Sequence, residues 1–142
     1  MRGLVHIYCG DGKGKTTASV GLAVRAAGAG KNVRFVQFLK NGNSAELAPL
    51  RLLGIETRVC GKPHGFIWTM TAEEKARAAA DYTALLEDAF ADAGDLDLLV
   101  LDEAVGAAGC AMIPEAELIR LLRERPEGLE VVMTGRDPSP AL

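Results

Sequence analysis

Residues 9 to 16, Cys-Gly-Asp-Gly-Lys-Gly-Lys-Thr, place three glycines ahead of a lysine and a hydroxyl. That is the chemistry of phosphate binding. Gly10, Gly12 and Gly14 let the backbone curl so that its N–H groups converge on one anion, Lys15 supplies a cation, and the Thr16 hydroxyl can ligate Mg²⁺. The pattern G-x-x-x-x-G-K-[ST] is met except at its first position, where Cys9 stands for glycine. Cys9 reads as a small buried filler rather than a reactive thiol. A second acidic element, Leu-Asp-Leu-Leu-Val-Leu-Asp-Glu-Ala (96–104), is an apolar run ending in Asp102 and Glu103. Acids at the carboxyl end of a parallel strand face the edge where ligands bind, which makes Asp102 the Mg²⁺ candidate, direct or through water; the alternative is an ordinary strand ending at a helix cap. Thr134-Gly135-Arg136 closes another apolar run, as a phosphate contact or as a turn.

Other reactive residues offer less. There is no Ser-His-Asp pattern; His6 lies within a strand, His64 stands alone in a loop, and both read as packing or surface histidines. The chain therefore offers grip and orientation, and an attacking group would come from a second substrate. The loop Cys60 to Met70 carries Phe66, Ile67 and the only tryptophan, Trp68, with neither helical nor strand period. Loop packing and a ligand surface are both open readings for it.

Short β-type runs alternate with helical patterns, which predicts a parallel sheet covered by crossover helices. Strands are expected at 3–8, 32–39, 55–59, 97–102 and 129–134, and helices at 15–29, 44–53, 72–93 and between Pro114 and Pro126. Thr71 and Glu74 make a capping box for the longest helix, whose core face is expected at Ala76, Ala79, Thr83, Leu86, Phe90 and Ala93. After Arg136 only Asp-Pro-Ser-Pro-Ala-Leu follows, with no further element expected.

A chain of 142 residues suits one domain with one core, here 1–142. A net charge of −3 gives no general attraction to nucleic acid or to an anionic membrane. Three scattered cysteines, without a Cys-x-x-Cys pair, suggest neither a disulfide framework nor a zinc knuckle and fit a reducing cytoplasm. No run is long and apolar enough to suggest a membrane span or a signal peptide.

The run from Arg2 to Lys40, with Gly-Asp-Gly-Lys-Gly-Lys-Thr-Thr-Ala and Val-Gln-Phe-Leu-Lys, followed by Gly-Phe-Ile-Trp, Leu-Val-Leu-Asp-Glu-Ala and Val-Val-Met-Thr-Gly-Arg, resembles the ATP:corrinoid adenosyltransferases of the CobA/CobO/BtuR type. That family commonly has a non-glycine at the position of Cys9. The resemblance implies a P-loop NTPase (RecA-like) three-layer α/β fold with a mostly parallel sheet of about five strands. It also implies transfer of the 5′-deoxyadenosyl group of ATP to a cob(I) corrinoid, cobalamin or a cobyrinic acid derivative, with release of tripolyphosphate. On that analogy Gly10, Asp11, Gly12, Lys13, Gly14, Lys15, Thr16 and Thr17 hold the triphosphate, Thr16 with Asp102 or Glu103 places Mg²⁺, and Arg25 is a further nucleotide contact. Phe66 and Trp68 match the aromatics that pack on the lower corrin face and exclude its axial ligand. A flavoprotein reductant such as flavodoxin, a homodimer and a cytoplasmic location are implied as well.

Three departures are visible. The family often has an N-terminal extension ahead of the first strand, polar and aromatic residues where this chain has Ala-Val-Gly-Ala-Ala-Gly-Cys-Ala-Met-Ile, and about thirty residues beyond Thr-Gly-Arg. The chain reads as shortened at its C-terminus. A non-catalytic nucleotide- or corrinoid-binding paralogue is the alternative this raises. A generic P-loop ATPase or kinase, with Glu103 orienting water and ADP as product, is the other.

Overall fold

The computed structural model describes residues 1–61 and 64–142; Lys62 and Pro63 of the aromatic loop lie outside the described residues. Among the described residues five strands form one sheet: β1 (Val5–Cys9), β2 (Val33–Gln37), β3 (Glu56–Val59), β4 (Leu98–Asp102) and β5 (Glu130–Gly135). Their order is β1-β5-β4-β2-β3 and every pairing is parallel. The helices are α1 (Lys15–Gly28), α2 (Leu47–Leu52), α3 (Ala72–Phe90), α4 (Ala104–Gly109) and α5 (Glu115–Glu124). This is a P-loop NTPase-like α/β fold, all-parallel rather than mostly so.

Alternation along each strand divides the core into two layers, because successive side chains point to opposite faces. Leu98, Val100, Phe35 and Val132 pack with Ala23, Leu47 and Leu50 of α1 and α2. Leu99, Leu101, Val36, Val131 and Met133 pack with α3, α4 and α5. Helices on both faces make three layers. In α1 only Ser19 and Ala23 are buried, and such small side chains let its axis lie close to the sheet.

Element positions agree with the periodicity to within a few residues, with two corrections. The core face of α3 is Ala78, Tyr82, Leu85, Leu86 and Ala89; of the expected residues Leu86 and, just past the helix, Ala93 are buried, Ala79 and Phe90 pack at the rim of the core, Thr83 is half-buried and Ala76 is exposed. Alanines carry little positional signal; the bulk of Tyr82 and Leu85 decides which way the helix turns. The second correction is α4, which glycine-rich periodicity does not announce and which exists because Ala104, Val105 and Ala107 are buried against β5 and the α5 side of the core. Half of the Thr71 capping box is present: the Glu74 amide donates to Thr71 Oγ1 at 3.2 Å. Residues 136–142 form only bends and turns.

Candidate active site

The strand register builds the site. Tyr8 lies level with Thr134, Leu101 with Met133, and Gln37 with Asp102, so Thr134, Asp102 and Gln37 form one row across the carboxyl edge of the sheet. Parity puts all three on the face that Val132, Val100 and Phe35 turn toward α1. All three are fully buried. Their partner from the helix is Thr16, in the first turn of α1, whose hydroxyl donates to Asp102 Oδ1 at 2.9 Å.

Asp102 is held by further donors. Thr134 Oγ1 reaches Asp102 Oδ1 at 2.8 Å, Gln37 Nε2 reaches Oδ2 at 3.1 Å, and Lys40 Nζ reaches Oδ2 at 3.3 Å. Lys40 Nζ also stands 3.3 Å from Thr16 Oγ1 and 3.8 Å from Glu46 Oε1, while Gln37 donates to Glu46 at 2.8 Å. A buried carboxylate without such partners would be too costly to keep ionised. Glu103 follows in a left-handed conformation at φ 63°, its amide donating to Thr134 Oγ1 at 2.8 Å. Burial first, and then the Asp102 charge, push the Glu103 carboxyl above its ordinary range, against the opposing pull of Lys40, Lys15 and Arg136.

The glycine loop curls as its sequence requires. Gly14, at φ 103°, caps the start of α1, and the Gly10 amide donates to the Arg136 carbonyl at 3.2 Å, tying the loop to the exit of β5. Lys15 Nζ folds over the loop and donates to the Gly12 carbonyl at 2.6 Å. Asp11, Lys13 and Thr17 are exposed beside it. An exposed glycine-rich turn at a helix N-terminus, carrying lysines, has the chemistry to hold an anion. Cys9 is exposed, not a buried filler, because β1 is an edge strand and Cys9 is its last residue.

Thr16 and Asp102 offer hard oxygen donors, the set that suits Mg²⁺. Gln37 Oε1 beside them is the one buried side-chain oxygen or nitrogen without a partner among the described residues, and it fits as an acceptor for a water of a hydrated ion. The residues therefore fit Mg²⁺. Glu103, one residue further, is half-buried beside the same cations.

The second half of the site is a cavity of about 670 Å³ whose walls include Leu39, Lys40, Phe66, Trp68, Met70 and Tyr82. Phe66 and Trp68 stack with ring centroids 4.7 Å apart and planes 15° from parallel, yet both are largely exposed. Ile67–Thr69 forms the short 3₁₀ turn that presents them. Leu39 is held at φ 60°, a strained value for a bulky side chain, where β2 hands the chain over to Lys40. Lys40 thus belongs to both halves.

Arg25 is not brought to this edge. It is exposed in the last turn of α1, about 15 Å along the helix axis from Lys15. His64 is not alone, since its Nε2 lies 2.9 Å from Asp81 Oδ2. Sequence reasoning assigned no role to Gln37, Lys40 or Glu46; the signal was a glutamine inside an apolar strand with a lysine three residues on.

The family described as ATP:corrinoid adenosyltransferase BtuR/CobO/CobP matches residues 1–142. The corrinoid adenosyltransferase of Escherichia coli (strain K12) is 37% identical over 140 residues, covering 95% of this chain and 68% of that protein. The corrinoid adenosyltransferase CobA of Salmonella typhimurium (strain LT2) is 38% identical over 141 residues, with the same two coverages of 95% and 68%. The corrinoid adenosyltransferase of Pseudomonas aeruginosa is 30% identical over 142 residues, 99% of this chain and 70% of that protein. A likeness that takes in the phosphate loop, the acidic strand end and the aromatic turn together goes beyond a shared fold, and by it this chain belongs to the ATP:corrinoid adenosyltransferase family.

Proposed function

We propose that this chain transfers the 5′-deoxyadenosyl group of ATP to the cobalt of a cob(I) corrinoid in cobalamin biosynthesis or salvage, releasing tripolyphosphate. The observation that carries this reading is that Lys40 joins the Thr16–Asp102 pair to the aromatic cavity, so that a triphosphate in the loop and a flat apolar ring on Phe66 and Trp68 would share one continuous site. The cobalt(I) electron pair attacks C5′, a Co–C bond forms, and the C5′–O bond breaks with its pair leaving on tripolyphosphate. No protein nucleophile is needed. The chain's part is to position the reactants and to stabilise charge on the leaving group.

Gly10 to Thr17 bind the triphosphate through backbone N–H groups, and Lys15 swings from the Gly12 carbonyl to neutralise it. Thr16 and Asp102 would hold Mg²⁺, with Glu103 nearby; when bound, that ion offsets the phosphate charge. Lys40, now paired with Asp102, is free to turn toward the phosphates. Phe66 and Trp68 lie against the corrin face and keep an axial ligand away. Arg25 is too far from the loop to touch the triphosphate, so its contact is with the rest of the nucleotide or with a second copy's site. A homodimer is part of the proposal, supported by the edge position of β1, where Leu4 and Val5 are exposed. So is a flavoprotein reductant, such as a flavodoxin, that delivers the electron.

The test is anaerobic incubation with chemically reduced cob(I)alamin and Mg-ATP. A light-sensitive Co–C bond and tripolyphosphate should appear in equal amounts, and Lys15→Ala should lower the rate by about 10²–10³-fold with the fold intact by circular dichroism. Binding of both substrates without product would instead make the chain a non-catalytic binder. ADP as sole product would make it an ATPase.

A further inference from the structure

Outside the nucleotide site, three side chains of different chemistry converge where the aromatic loop meets α3. Cys60 follows the last residue of β3, His64 lies in the loop, and Asp81 lies on α3; a sulfur, a ring nitrogen and a carboxylate oxygen from them all fall within 4.8 Å of one another. His64 Nε2 already lies 2.9 Å from Asp81 Oδ2, and its ring is 5.5 Å from that of Tyr82. Each of the three is partly buried, so the set is neither a solvated charge cluster nor sealed in the core. Two surface clefts border it, one lined by Cys60 and Asp81, the other by His64 and Asp81.

We propose that Cys60, His64 and Asp81 form a binding site for a borderline divalent transition metal, Zn²⁺ foremost. Thiolate, imidazole and carboxylate are ligands of Zn²⁺ at about 2.0–2.3 Å, and ligands on a tetrahedral ion stand roughly 3.3–3.7 Å apart. The His64–Asp81 separation of 2.9 Å is a little shorter than that, and all three ligand atoms stand within 4.8 Å of one another, so small side-chain adjustments reach the geometry. Three protein ligands leave a fourth position for water. The thiolate sets this site apart from the oxygen-lined Thr16–Asp102 pair, which suits a hard ion. The metal would join the end of β3 and α3 to the loop two residues before Phe66, and so pin the segment that carries the exposed aromatics. The site itself stands independently of the adenosyl-transfer reading.

The full chain, freed of metal with a chelator and kept reduced, is titrated with Co²⁺ and then with Zn²⁺. One equivalent of Co²⁺ should give a thiolate-to-cobalt charge-transfer band and the intense visible bands of a tetrahedral ion, and Zn²⁺ should displace it and change Trp68 fluorescence. Cys60→Ser should abolish the thiolate band, and His64→Gln and Asp81→Asn should each weaken Zn²⁺ binding more than about tenfold. Cys110→Ser should change neither. On the unaltered chain, Zn²⁺ should slow alkylation of Cys60 and leave Cys110 as it was, which keeps the test decisive if a variant misfolds. No thiolate band, a band that survives Cys60→Ser, or Zn²⁺ affinity unaltered by His64→Gln and Asp81→Asn would overturn the proposal.

Discussion

Thr134 carries more than its place at a strand end suggests. Its hydroxyl donates to Asp102 and accepts from the Glu103 amide, so one oxygen sets both acids. Thr134→Val keeps the shape and removes both bonds. It should cost about 1–3 kcal/mol in urea unfolding and weaken Mg-ATP binding, and Thr134→Ser should restore most of both. Glu103 gives a prediction with a sign. Burial and Asp102 raise its carboxyl above the ordinary 4.5, so the native state keeps the proton to higher pH than the unfolded chain does. The stability contributed by this group is therefore full below the unfolded value and lost as pH rises through the folded one. Glu103→Gln should melt higher than the parent near neutral pH, with the difference shrinking as pH falls toward the unfolded value, as calorimetry at several pH values would show. A variant melting lower at neutral pH would mean that attraction to Lys40, Lys15 and Arg136 outweighs burial.

At the scale of elements, the contact between β5 and α4 aims the acids. A methyl group on Gly135 would stand 2.4 Å from Val105 Cβ and 2.7 Å from the Gly106 amide nitrogen, and the latter is backbone that cannot rotate away. Gly135→Ala should therefore push α4 outward, cost about 1–3 kcal/mol by chemical denaturation, and lower adenosyl transfer by moving Glu103. α4 is also where sequence reading fell short. Its two glycines offset the helical preference of its alanines, its six residues show no clear face, and the burial of Ala104, Val105 and Ala107 makes it a helix. α3 shows the converse: it starts where expected behind half of the expected capping box and ends three residues early, and the expected face is turned part of the way round because Tyr82 and Leu85 fill the core beside Leu86.

For the molecule as a whole, the two halves of the site come from distant parts of the chain, the loop between β1 and α1 and the connection between β3 and α3. That separation should show in function. Phe66→Ala and Trp68→Ala remove exposed rings, so the unfolding free energy should change by no more than about 0.5 kcal/mol and Mg-ATP affinity should hold, while corrinoid alkylation falls in both. Parallel measurement of nucleotide binding and Co–C bond formation would check this. Equal loss of both would mean that the aromatics support the fold rather than the corrinoid.

The sequence by itself determined the phosphate loop, the strand that ends in Asp102, the alternation of strands and helices, and the aromatic turn. Each is a local pattern, in which neighbouring residues carry the signal through spacing, period or backbone freedom. Only the tertiary structure decided that β5 lies between β1 and β4, which brings Thr134 onto Asp102 and leaves Cys9 exposed at an edge. It also decided that Gln37 and Lys40 close around the same carboxylate, and that Cys60, His64 and Asp81 meet. The physical reason is that parallel strands pair through long crossovers, so their order depends on how helices pack over both faces and on no single stretch of chain.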